Sequence, residues 1–228
     1  MMKHLQKMGG IAALYMAVAY LIGIVIFLVI LDYPSITDPA QQVALNVDQQ
    51  LIVFSTNLLM YVFFGFFLIV LALALHDHLK SGAPAMMQVA TAIGIIWAGS
   101  LIASGMVANA GLITIVPLYA QDPAQATLVW QSLTAMTSGL GNANGEILGG
   151  LWVLLVSLAA LWHGGLPRSL NMLGLVVGGV GIVSLAPALN TLTGLFGVSQ
   201  IFWFAWVGIV LLRGHPSLVL RQSPSAAV

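Results

Sequence analysis

The residue of this chain best suited to chemistry is Glu146, the one acidic side chain inside an apolar run, in the segment GLGNANGEILGG at residues 139–150. A carboxyl group in or near hydrocarbon coordinates a cation, accepts a proton, or stays protonated because burial raises its pKa. At roughly 100° per residue, Ser138, Asn142 and Glu146 fall on one helical stripe, and Gly141, Gly145 and Gly149 form a GxxxGxxxG stripe beside it. Asn144 adds a further amide, and Asn57, 19 residues before His76, is expected at similar depth. Ser104, Asn109, Ser199 and Gln200 also fall towards the outer ends of their apolar runs. The constellation supports three readings. It is a ligand-binding or proton-accepting pocket, a catalytic carboxyl, or a packing face whose glycines meet Gly174 and Gly178 while the Asn-Glu pair satisfies itself.

Other groups carry less. His76, Asp77, His78 and His163 are suitable ligand types for a borderline metal, but the expectation is a solvated interfacial cluster and no metal site. Ten methionines without a regular spacing read as gap-fillers. The six tryptophans read as interface or packing residues. With no cysteine, the chain has no disulfide, thiolate metal site or thiol nucleophile. No apolar run contains lysine or arginine, which excludes a retinal Schiff base and disfavours a voltage sensor or anion clamp. No histidine sits mid-run to hold a haem or activate a serine. The cofactor is left unknown, and enzyme is the weaker functional class.

These groups are positioned by helices in a membrane. The 228 residues are 60% hydrophobic and 5% charged, far from the composition of a water-exposed domain, and net charge zero offers nothing to nucleic acid. Backbone amides in hydrocarbon must be paired within their own segment, so runs of about 20 apolar residues are helices. The expected fold is all-α, a polytopic integral membrane bundle forming a single domain over 1–228. Its six spans fall near 10–31, 51–75, 84–108, 142–162, 169–188 and 196–212, followed by a short cytoplasmic tail at 213–228. The first run is too long for a signal-peptide core and lacks a small-x-small cleavage site, so it is read as a retained helix. Lys3, Lys7, Lys80, Arg168, Arg213 and Arg221 fall on one side, and Asp32, Asp38, Asp48 and Asp122 on the other. The positive-inside rule then places both termini in the cytoplasm.

The tetrapeptide Asp-Pro-Ala-Gln occurs at residues 38–41 and again at 122–125, each with Asp as helix cap, Pro at the first helical position and Gln third, as in a capping box. From these caps the helical pattern runs on to Leu75 and to Trp162, roughly 55 to 60 Å each against a hydrocarbon core of roughly 30 Å. Each stretch must therefore lie partly outside, tilt or break. Val129, Leu133, Met136 and Leu140 make an amphipathic stripe suited to the outer interface, so a small helical cap is expected there. LALALHDHLKSG and SLAALWHGGLPRS close two hairpins with His76 and His163 in register, which suggests a duplicated hairpin or a chance match.

In the fourth and fifth runs, GGLWVLLVSLAALWHGGLPRSLNMLGLVVGGVGIVSLAP resembles the helix-turn-helix of a widespread family of small bacterial membrane proteins known as a domain of unknown function. Leu151, Trp152, Gly165, Leu166, Pro167, Arg168, Leu173 and Gly174 carry the likeness, and GGIAALYMAVAYLIGI resembles the family's first helix. The resemblance implies a six-helix protein of the bacterial inner membrane and supplies no activity or cofactor. The leading expectation is therefore binding or transport of a small molecule, cation or proton in an outer-leaflet pocket. Glu146 would be its coordinating group, with Asn57, Asn142, Asn144 and Ser138 as polar partners. The alternatives are a structural subunit of a homo-oligomer or larger membrane complex, and a membrane enzyme.

Overall fold

The computed structural model describes residues 2–142, 147–189 and 191–213. Among them there are helices and turns and no strand. The helices are α1 (Met2–Val25), α2 (Pro39–Asp48), α3 (Gln50–Asn57), α4 (Phe64–Leu79), α5 (Pro84–Tyr119), α6 (Pro123–Thr137), α7 (Ile147–His163), α8 (Arg168–Val183) and α9 (Leu192–Arg213). Three π-helical turns extend them: Ile26–Ile30 after α1, Leu58–Phe63 joining α3 to α4, and Ser138–Asn142 after α6.

Four stretches are long and apolar enough to cross a membrane: His4–Ile30, Gln50–Leu79, Pro84–Tyr119 and Leu192–Arg213. The apolar helices α7 and α8 have 17 and 16 residues, or roughly 25 Å, a little less than a bilayer core. Neighbours in the bundle run α1, α4, α5, α7, α8, α9 and back to α1, so the chain closes a ring. Inside it, Trp97, Trp152, Trp203, Phe64, Phe196 and Phe204 are fully buried. Trp97, Trp152, Trp203, Phe64 and Phe204 meet in tilted and edge-to-face pairs, with centroids 5.9 Å apart for Trp97 and Trp152 and 5.6 Å for Trp152 and Trp203, the geometry that ring quadrupoles favour.

One end of the ring is basic. Gln6 donates to the Leu211 carbonyl at 3.0 Å, and His78 Nε2 donates to the Gly165 carbonyl at 2.9 Å. These contacts bring the start of α1, the end of α9 and both hairpin turns to the same face as Lys7, Lys80, Arg168 and Arg213. At the other end stands a helical cap of α2, α6 and the C-terminal part of α5. The helix begun at Pro84 does not stop near Ala108 but continues to Tyr119, and Pro117, which cannot donate a backbone hydrogen bond, lies two residues before its end. Its extension buries Leu112 and Ile115 against Leu31, Val43, Val53 and Ala126, a small core of its own. Both Asp-Pro-Ala-Gln segments begin cap helices: Asp38 accepts from the Ala40 amide and Asp122 from the Gln125 amide, each at 3.0 Å. The first stretch then breaks at Gln49, between α2 and α3, so the cap folds over the ring instead of prolonging one long helix.

Helices α7 and α8 approach until their backbones touch. A methyl group on Gly178 would lie 2.7 Å from the Gly150 carbonyl oxygen, and one on Gly150 would lie 2.9 Å from that of Gly178. Gly149 faces another way, towards the Trp97 and Phe196 rings. A methyl group on Gly174 would overlap the Ser157 hydroxyl. Gly145 lies outside the described residues.

Candidate functional site

A half-open cavity of about 350 Å³ lies between the cap and the ring, within the size range of small-molecule sites. Each of the three π turns supplies one wall residue: Phe27, Tyr61 and Ser138. A π turn widens the helix and shifts its carbonyls out of the regular ladder, as at the bond from the Leu31 amide back to the Ile26 carbonyl at 2.8 Å. Glycines then bring the elements close. A methyl on Gly105 would sit 2.7 Å from Tyr61 Cβ, and one on Gly111 would sit 2.5 Å from Leu133 Cδ1, so α5 lies directly against the α3–α4 turn and α6.

The wall is apolar with neutral polar groups set into it. Asn57 is buried and donates to Asn109 Oδ1 at 3.0 Å, while Asn109 Nδ2 donates to the Phe54 carbonyl at 3.2 Å. The Ser104 hydroxyl donates to the Thr137 carbonyl at 3.2 Å, tying α5 to the last turn of α6. On the cap side, Gln42 Nε2 donates to the Ile36 carbonyl at 3.0 Å, and the Tyr33 hydroxyl donates to the side chain of the fully buried Asn46. Burial pushes the Tyr33 phenol up to about 12 from its ordinary 10.0, against a smaller lowering by the Asn46 bond. Tyr33 is therefore a neutral hydroxyl at physiological pH. No charged side chain lines the cavity among the described residues.

Of the residues singled out from sequence, Asn57 and Ser138 both face this cavity. Glu146 and Asn144 lie outside the described residues, as does the side chain of Asn142. The wall residues Phe27, Tyr33, Gln42, Tyr61 and Trp130 have no motif that marks them. At the basic end, His76 Nδ1 lies 2.9 Å from the Thr91 hydroxyl and 3.2 Å from the Met87 carbonyl, while Asp77 pairs with Lys80 at 2.5 Å. His78 and His163 share a cleft of about 170 Å³. Among the described residues no group of three His, Asp or Glu side chains is placed to hold a metal ion.

Ring, cap and cavity define an all-α protein with four helices of membrane-crossing length. The chain belongs to the family described as Domain of unknown function (DUF4386), whose model matches residues 8–216. No curated protein and no solved structure matches it.

Proposed function

We propose that this is a six-span protein of the bacterial inner membrane, with both termini and the basic end in the cytoplasm, whose cavity under the outer cap binds a small uncharged amphiphile. The observation that carries the reading is the convergence of all three described π turns on one cavity. Such turns cost regular hydrogen bonding, and they recur where a helix is shaped around a ligand. The chemistry follows from the wall. Phe27, Tyr61 and Trp130 offer ring faces and edges, and Tyr33, Asn57 and Ser138 offer hydrogen bonds without charge. An ion would find no described counter-charge there. Glu146 and Asn144, within eight residues of Ser138 in the chain, are the proposed groups for a coordinating or proton-accepting role.

Ala108 is 8% exposed and forms part of the wall, so Ala108→Leu fills the cavity with side chain and leaves the ring intact. Titration with N-phenyl-1-naphthylamine, a neutral aromatic probe, is expected to give saturable fluorescence enhancement with the native protein and a loss of at least about tenfold in affinity with Ala108→Leu. Equal enhancement by both proteins would remove the cavity as the binding site.

A further inference from the structure

Away from the cap, the interior of the ring holds polar groups that have no hydrogen-bond partner among the described residues. Gln200 is fully buried, and among the described residues neither its amide nitrogen nor its oxygen has a partner. The same holds for Asn171 Oδ1, Ser157 Oγ, Trp203 Nε1 and Trp97 Nε1, on residues exposed by 2% or less. Buried polar atoms without a protein partner are the usual seats of ordered water.

Their placement is ordered. Counted along their helices from the basic end, Asn171 lies roughly 5 Å deep, Ser157 roughly 9 Å, Trp203 roughly 15 Å, and Gln200 and Trp97 roughly 20 Å. Three of them are neighbours. Ser157 Oγ and Trp203 Nε1 converge on Gly174, where a methyl group would overlap the first and lie 2.7 Å from the second. Gln200 is one turn from Trp203 on the same buried face of α9. The Trp97, Trp152 and Trp203 rings form one chain of contacts.

The donor and acceptor types choose the occupant. The indoles only donate, Asn171 Oδ1 only accepts, and Gln200 and Ser157 do both. A cation would meet the indole donors and an anion the carbonyl oxygens. Water matches both, and one water spans a step of roughly 5 Å with two ordinary hydrogen bonds. We infer that the ring encloses a file of bound water running from the basic end to the middle of the bundle, held by Asn171, Ser157, Trp203, Gln200 and Trp97. The file is independent of the cavity under the cap and gives the bundle a hydrated path through half its thickness.

Hydrogen exchange of the tryptophan indoles tests this in the intact protein. With the six indole signals assigned by single Trp→Phe variants, transfer of micelle-embedded protein into D2O should exchange the Trp97 and Trp203 protons at least about tenfold faster than the backbone amides of α9 around Gln200. Gln200→Leu should slow both indoles by a similar factor, and Gln200→Asn should retain part of the native rate. Indoles as protected as those amides in the native protein would overturn the file, as would native rates in a folded Gln200→Leu variant. The native comparison decides the matter even where Gln200→Leu fails to fold. Naphthylamine binding under the cap is unaffected by either outcome, so failure of one reading leaves the other standing.

Discussion

The amide pair Asn57 and Asn109 joins the end of α3 to α5, and its removal can be worked through quantitatively. Both residues are 6% exposed, and the bond between them is 3.0 Å. Asn57→Leu removes the donor and leaves Asn109 Oδ1 without it, a cost of about 1–3 kcal/mol for a buried group. For a domain of this size that is a fall of roughly 2 to 12 °C in Tm. Asn109→Leu has a comparable effect through Asn57. It also releases the Phe54 carbonyl, but that carbonyl still accepts from the Leu58 amide and stays satisfied. Replacing both asparagines removes donor and acceptor together, so the double variant should lie within about 1 kcal/mol of the native protein. Thermal unfolding in mild detergent, read by circular dichroism, gives the cycle directly. Single-variant losses that add within about 0.5 kcal/mol would show that the two amides do not act as a unit and would refute the reasoning.

Three further outcomes follow. Gly178→Ala drives a methyl group to 2.7 Å from a backbone oxygen and should cost about 1–3 kcal/mol, whereas Gly179→Ala, which meets nothing within 4 Å, should be neutral or slightly stabilising. Tyr33 has a folded pKa of about 12 against an unfolded 10.0, so its contribution to stability is complete below pH 10 and declines as pH rises from 10 towards 12; alkaline unfolding curves of Tyr33→Phe should lack that decline. The chain has no cysteine, so single exposed cysteines report orientation cleanly: in intact spheroplasts a membrane-impermeant maleimide should label Ser35→Cys and spare Ser81→Cys, and the reverse pattern would invert the proposed topology.

Much of the scaffold is legible in the sequence because it rests on one-dimensional signals. Apolar runs of membrane length, the two Asp-Pro-Ala-Gln starts and the segregation of lysine and arginine to one end need no knowledge of packing. The cavity depends on registers that no such signal carries. Asn57 is recognisable as a polar residue in an apolar run, but its partner Asn109 lies just past the expected end of its span. The apolar surface of α5 continues because the cap supplies a second core for Leu112 and Ile115. Phe27, Tyr61 and Ser138 reach the cavity through π turns, which have no residue signature. Gly149 and Gly150 are adjacent and equally small, and only the docking of α8 selects Gly150 for backbone contact while Gly149 makes room for aromatic rings.

The claim that the cavity under the cap holds a small uncharged molecule is tested most directly by native mass spectrometry of the protein extracted in mild detergent from its own membrane, the native chain beside Ala108→Leu. The native protein should carry a discrete added mass, released on activation as a neutral small molecule, and Ala108→Leu should lose most of it. The same adduct at the same occupancy on both proteins, or none on the native protein, would contradict the account.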